Sequence, residues 1–316
     1  MRNLINFFEN IQPFKFQKVI TAIGVFDGVH LGHREIIRRA VLRAREKNMP
    51  VLALSFSPHP RQLLRPADPP KLLMPESERI RLLHEAGADV CAFINFTLET
   101  ANMEPDEFLR HLREESACEI AGICVGSNWK FGRNGRGNRE VLAEFCRKEK
   151  WSFDAVDELE FRGRTISSTA IRQAIAQGDL TSAGEMSGRA ATLYGVVEKG
   201  FHIAGESLSA PTANLAVSAG ILPPDGVYSG SVEIGREVFP AAVNIGVAPT
   251  FGNGLRRVEI HLIGFSGNLY GAELSVALYR FLRPEKRFDS PEELKEQIAA
   301  DIKSIKNDHL NRLQSM

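Results

Sequence analysis

Two imidazoles three residues apart in a glycine-rich turn are the groups in this chain best suited to chemistry on phosphate. They lie in the run Gly24-Val25-Phe26-Asp27-Gly28-Val29-His30-Leu31-Gly32-His33. His30 and His33 can donate hydrogen bonds to phosphate oxygens without a fixed charge. Gly24, Gly28 and Gly32 remove side-chain bulk, and Phe26 and Asp27 complete the turn. The pattern predicts a strand that ends near Phe26 and a helix that starts near His33. A phosphate can then approach the backbone and meet the unpaired N–H groups of the helix start. The turn reads as a site for a nucleotide triphosphate.

Other polar clusters stand where they could line the same crevice. Ser57-Pro58-His59-Pro60 follows the strand-like run Val51–Phe56, and Gly126-Ser127-Asn128-Trp129 follows Ile120–Val125. On pattern alone His59 reads equally well as a loop residue, and Trp129 as packing. Ile166-Ser167-Ser168-Thr169-Ala170-Ile171-Arg172 opens a helix. Ser168 and Thr169 there are ordinary caps, and Arg172, one turn on, could clamp a phosphate. Farther along, Val258, Ile260 and Leu262 alternate with Glu259 and His261, so Glu259 points away from the apolar face. Thr212 and Asn214 share a strand face and could offer hard oxygen ligands to Mg²⁺. Taken singly, each of these has an ordinary structural explanation.

The elements that must hold these groups fall into two regions. Ile20–Phe26, Val51–Phe56, Asp89–Phe96 and Ile120–Val125 are strand-like runs separated by helical patterns, among them Glu76–Glu85 and Pro105–Glu114. That alternation implies a parallel sheet with ligands at the carboxyl ends of its strands. Arg65–Pro70 reads as a surface loop and Gly132–Gly137 as a basic, flexible segment. After about residue 187 strands dominate: Thr192–Glu198, Val227–Ile234, Val238–Asn244, Arg257–Ile263 and Glu273–Leu282. They point to a small antiparallel barrel or sandwich. A final helix is announced by Ser290, Pro291 and Glu293, a capping box, and by the stripe Leu294, Ile298, Ile302, Ile305. The boundary is placed at 186/187, giving domains 1–186 and 187–316.

Bulk composition narrows the classes. Lys plus Arg and Asp plus Glu are equal at 39 each, a balance that argues against a general nucleic-acid partner. No stretch approaches the roughly 20 apolar residues of a membrane span, and no signal peptide is read, so a cytoplasmic protein without a membrane partner is expected. Cys91, Cys118, Cys124 and Cys146 form no C-x-x-C and read as buried free thiols.

In order, GVFDGVHLGH, SPHPR, VGSNWKFG and ISSTAIR resemble the adenylyltransferase module of the bacterial bifunctional riboflavin kinase/FAD synthetase family, over about residues 18–186. The resemblance implies a Rossmann-like nucleotidyltransferase fold. It assigns the phosphates of ATP to His30 and His33, and the nucleotide site to the Gly24–Gly32 turn with Asn128, Ser168, Thr169 and Arg172. Ser57, Pro58 and His59 fall to the flavin. PTANL, NIGVAPTF, VEIHL and LRPEKRF resemble the riboflavin kinase module of the same family, over about residues 188–310. This second likeness implies a six-stranded Greek-key barrel with a terminal helix, Glu259 as catalytic base, and Thr212 and Asn214 at Mg²⁺ and nucleotide. Riboflavin, FMN, FAD, ATP, ADP and pyrophosphate are the implied partners, Mg²⁺ enters with ATP, and no tightly bound prosthetic group is implied. Glu206 and Ser209 stand where the family has a basic residue and a glycine, which motivates the alternative of an FAD synthetase with a weak kinase module. A non-catalytic flavin-binding regulator is a further alternative. H-x-G-H alone would also suit a pantetheine-phosphate or nicotinamide-mononucleotide adenylyltransferase.

Overall fold

The structure, a computed structural model, describes residues 5–7, 18–116, 118–198, 213–247, 256–286 and 288–314. It forms two compact units, Met1–Pro70 with Glu76–Ser167, and Lys71–Pro75 with Ser168–Met316.

The first unit alternates strand and helix. Its strands are β1 (Ile5–Phe7), β2 (Lys18–Ile23), β3 (Val51–Ser57), β4 (Val90–Asn95), β5 (Glu119–Gly126) and β6 (Ser152–Val156), ordered β1-β4-β3-β2-β5-β6. All neighbours are parallel except the edge strand β1. The helices between them are α1 (Leu31–Lys47), α2 (Pro60–Leu64), α3 (Glu76–Glu85), α4 (Leu98–Asn102), α5 (Pro105–Glu115) and α6 (Arg139–Glu149). A short hairpin, β7 (Glu160–Phe161) and β8 (Arg164–Thr165), closes the unit. β2, β3 and β4 are apolar almost without interruption because both sheet faces are covered. α1 buries Ile36, Ile37, Ala40 and Ala44 along one face and ends at Asn48 in the left-handed conformation.

Chain order reverses at β2. The connection from β2 runs to β3 on one side, and β5 lies on the other. That topological switch point is where an open parallel sheet leaves a crevice.

Three expectations change here. β2 stops at Ile23 rather than Phe26, because Phe26 takes a left-handed φ of 54° that no strand tolerates. α1 begins at Leu31, two residues before the expected start. Gly132–Gly137 is a built turn: Phe131 and Gly137 pair, and the Arg133 N–H donates to the Met103 carbonyl at 2.7 Å. Glycine is required at 132 and 137, where a Cβ would come within 2.9 Å of Pro105 and 2.6 Å of Phe131.

The second unit is a closed antiparallel barrel preceded by α7 (Ser168–Ala176) and α8 (Leu180–Ser187). Its strands are β9 (Ala191–Glu198), β10 (Ala213–Ala219), β11 (Gly226–Ile234), β12 (Glu237–Val247), β13 (Arg256–Leu262) and β14 (Glu273–Arg283), joined as β10-β13-β12-β11-β14-β9. Val232, Ala241, Val243, Ile245, Val258, Ile260 and Val276 fill its interior. Helix α9 (Pro291–Gln314) packs on β11 and β12 with Ile305 fully buried. Its N-terminus departs from a full capping box. Ser290 Oγ accepts the Glu293 N–H at 3.2 Å, but the Glu293 carboxylate turns to the Asp289 N–H and Lys286 instead. Inside the helix, Asp301 accepts from the Arg283 guanidinium at 2.9 Å, a half-enclosed bidentate pair that ties α9 to β14.

All of the cysteines are buried free thiols. Burial pushes the Cys124 and Cys146 thiols up to about 12, so neither is a thiolate near neutrality. Native protein should therefore leave all four thiols unreactive toward an aromatic disulfide reagent and release them only in denaturant. Ile305→Ala should cost about 2–5 kcal/mol, seen as a lower urea midpoint at unchanged slope.

Candidate active sites

The first site is built on the exit of β2. Gly24 N–H still pairs with the Leu54 carbonyl at 3.1 Å, and then the chain leaves the sheet. It turns through Phe26 (φ 54°), Gly28 (φ 87°) and Val29 (φ 32°), three left-handed residues in four, with Phe26 and Val29 fully buried. A β-branched residue with positive φ is strained, and such strain persists where surrounding packing over-determines it. Gly24 has its own steric reason, since a Cβ there would lie 2.8 Å from the Phe26 ring.

His30 is the N-cap of α1, buried, with its Nδ1 accepting the His33 N–H at 3.3 Å. An imidazole nitrogen that accepts carries no proton, so in the neutral ring the proton sits on Nε2, which leaves that atom as the donor. His33 stacks on His30 with centroids 3.6 Å apart and meets the edge of Phe26 at 5.3 Å. Gly32 makes this possible: a Cβ there would sit 3.3 Å from both Cε1 and Nδ1 of His30. The H-x-G-H spacing is thus explained by one stacked pair on one helix start. No acidic side chain occupies the first turn of α1, which keeps its N-terminal field available to an anion.

Both neighbours of β2 end beside it. Ser57-Pro58-His59 follows β3 through a cis Ser57–Pro58 bond. His59 caps α2, taking the Arg61 N–H on Nδ1 at 3.1 Å while its own N–H donates to Gln62 Oε1. Asn128 follows β5, exposed, and its Nδ2 donates to Glu158 Oε1 at 2.6 Å. Trp129 stacks on Phe131 at 4.6 Å and joins the hydrophobic core, the packing role. Ile166 brings its carbonyl 3.9 Å from where a Gly32 Cβ would stand, so the I-S-S-T segment begins against the histidine turn. Ser168, Thr169 and Arg172 lie in the first turns of α7, within the second unit, where Arg172 Nε donates to the Lys71 carbonyl at 2.7 Å.

One residue behind this site carries no signal in the sequence. Arg79 on α3 is 5% exposed, and its guanidinium donates to the Val25 carbonyl at 3.0 Å, Ser55 Oγ at 3.2 Å and the Phe56 carbonyl at 3.3 Å. It also reaches Glu76 at 3.2 Å and lies 4.8 Å over the Phe93 ring. Burial pulls its pKa below the usual arginine value, against the opposing fields of Glu76 and Asp27, which is itself buried.

The second site is a row across the outer wall of the barrel. Asn214 on β10 is directly opposite Glu259 on β13, and Glu259 is directly opposite Asn244 on β12. Opposed residues in antiparallel strands share a face, with Cβ atoms roughly 4.5–5.5 Å apart. Glu198 extends the row beyond Asn214. Oδ1 of Asn214 and Oδ1 of Asn244 are both buried, and neither has a hydrogen-bond partner among the described residues. Asn244 Nδ2 donates to Glu285 Oε1 at 3.3 Å. A carboxylate only accepts, which fixes the amide with its oxygen turned elsewhere. Glu285 lies against β12 at Gly246, where any Cβ would collide with the carboxylate. Two unpartnered amide oxygens beside a carboxylate are a hard donor set, suited to Mg²⁺. Thr212, Glu206 and Ser209 lie outside the described residues. Asn244 and Glu285 sit in motifs visible in the sequence, yet only the register of β12 on β13 shows that Asn244 faces Glu259.

Comparison with known proteins finds matches in both halves of the chain. A family model described as FAD synthetase matches residues 13–170, and one described as riboflavin kinase matches 187–308. A bifunctional riboflavin kinase/FMN adenylyltransferase of Escherichia coli K12 is 32% identical over 306 residues, covering 94% of this chain and 95% of its own. The protein of that name from Bacillus subtilis 168 is 30% identical over 289 residues, covering 90% of each. A crystal structure described as a macrolide-efflux protein from Streptococcus pneumoniae superimposes with TM-score 0.81 at 29% identity, covering 93% of this chain and 98% of that one. Among the described residues of this chain, no helix is long and apolar enough to cross a membrane.

His30→Ala should cost about 1 kcal/mol through the lost cap. Gly32→Ala should retain the cap donor yet displace the His30 ring by a few tenths of an ångström. A crystal structure of the glycine variant, set beside melting curves of both, checks the distinction.

Proposed function

The chain belongs to the family of bifunctional riboflavin kinase/FMN adenylyltransferases, and we propose that its two activities are divided between the two sites described above. It phosphorylates riboflavin to FMN with ATP, and adenylylates FMN to FAD with release of pyrophosphate. The adenylyltransferase module is taken as residues 1–186 and the kinase module as 187–316, in line with matches over 13–170 and 187–308. The stacked His30–His33 pair at the switch point of a parallel sheet is the observation that carries the reading.

In adenylyl transfer a phosphate oxygen of FMN attacks the α-phosphorus of ATP. The bond from that phosphorus to the bridging oxygen breaks, and pyrophosphate leaves with the electron pair. No enzyme nucleophile is needed, so catalysis consists of alignment and of donors aimed at growing charge. His30 donates through Nε2, held in that tautomer by the backbone of His33. The backbone of Gly24, Phe26, Asp27, Gly28 and Gly32 shapes the phosphate cradle, with Asn128, Ser168, Thr169 and Arg172 as further nucleotide contacts. Ser57, Pro58 and His59 receive the flavin.

In the kinase site Glu259 takes the proton of the ribityl 5′-hydroxyl as that oxygen attacks the γ-phosphorus of ATP, and ADP leaves. Asn214, Thr212 and Asn244 would hold Mg²⁺ with the nucleotide; the buried, unpartnered amide oxygens of Asn214 and Asn244 fit that ion. Mg²⁺ supplies neutralisation of phosphate charge when it is bound. Flavins pass through as substrates and products, so no prosthetic group is required. The buried free thiols suit a reducing compartment, and we place the protein in the cytoplasm.

Protein given riboflavin, ATP and Mg²⁺ should produce FMN and then FAD with pyrophosphate, followed by chromatography of the flavins. His33→Ala should abolish FAD formation and spare riboflavin phosphorylation. Glu259→Ala should do the reverse, slowing phosphorylation by about 10²–10⁴. Loss of both activities in each folded variant would overturn the division of labour. Asn244→Ala should raise the Mg²⁺ concentration for half-maximal phosphorylation and leave FMN adenylylation at its normal Mg²⁺ requirement.

A further inference from the structure

Successive carbonyls of a strand point alternately to its two neighbours. On β3 the Leu54 carbonyl faces β2 and takes the Gly24 N–H, while Ser57 faces the other way and takes the Phe96 N–H. Phe56, two residues after Leu54, therefore faces the place β2 has just vacated. A buried carbonyl left without a donor is costly. The departing strand has the same problem at the Val25 carbonyl. Arg79 answers both at once, with Ser55 Oγ sharing Val25 at 2.8 Å. A planar fork with five donors and no acceptor suits this role, and a lysine ammonium does not reproduce it.

Val25 directly precedes the Phe26–His30 turn, and Phe56 directly precedes Ser57-Pro58-His59. We propose that Arg79 is a positioning residue for adenylyl transfer, setting the separation of the turn that holds ATP from the turn that receives FMN. It rests on the function proposed above. Arg79 touches neither substrate; it acts through the two backbone segments it bridges. Its cation also offsets the buried Asp27 within the ATP turn. Misplacement by about 1 Å can cost on the order of 10² in rate, so the effect should fall on turnover more than on binding.

The test compares wild type, Arg79→Lys and Arg79→Met, each assayed for FAD formation from FMN and for riboflavin phosphorylation in the same preparation. ATP-analogue and FMN binding stoichiometry is read by calorimetry. The expected result is a kcat for FAD formation lowered at least tenfold in Arg79→Met and partly restored in Arg79→Lys. Riboflavin phosphorylation should stay within twofold and binding stoichiometry at its wild-type value. Wild-type kcat in both variants overturns the proposal, and so does a rate loss matched by an equal loss of binding sites, which marks a purely structural role. Absence of FAD formation by the unsubstituted protein overturns the function assigned to the site instead, and the proposal falls with it.

Discussion

A parallel sheet can open a binding crevice only by letting adjacent strands part, and every parting strand abandons hydrogen bonds. In this protein β2 leaves its neighbours at Gly24. The turn that follows, the left-handed Phe26 and Val29, the capping by His30 and the buried guanidinium of Arg79 are all responses to that departure. Backbone groups dominate because they are obligatory hydrogen-bonding groups and here lie buried. The stacked histidines sit on a helix start whose underlying backbone is satisfied by His30 itself, Ser55 and Arg79.

The second site solves the converse problem. In the closed barrel the polar row lies on the outer wall, where alternation places Asn214, Glu259 and Asn244 side by side. Here register supplies the geometry that a turn supplies in the first unit. A one-residue slip of β13 would turn Glu259 into the interior and destroy row and core together.

These differences explain what could be read directly from the residues. The α/β alternation, the barrel, the stripe of α9 and the histidine turn were visible because periodicity and glycine placement are local signals. The end of β2 was misplaced by three residues because Val25 and Phe26 are apolar, while the backbone there is left-handed. Strand β6 was missed because Ser152–Val156 carries an aspartate, which accepts from Arg43 at 2.6 Å on α1. Gly132–Gly137 read as flexible because composition does not reveal that Phe131 and Pro105 leave its glycines no room. Arg79 had no signal at all: apart from Glu76 one turn back, its hydrogen-bond acceptors, Val25, Ser55 and Phe56, are 23 to 54 residues away and mostly backbone. Asn244 was legible as a motif but not as a neighbour of Glu259.

The five residues Lys71–Pro75 come from the middle of the first unit's chain yet belong to the second, where the Leu72 carbonyl takes the Gly220 N–H at 2.9 Å and Lys71 takes Arg172. The two units are therefore not two consecutive stretches of chain. A single cut cannot free one unit without tearing a piece from the other. On the ribosome the strap is delivered roughly a hundred residues ahead of the barrel it serves, and closing so long a loop costs only a few tenths of a kcal/mol more than closing one of half to two-thirds its length.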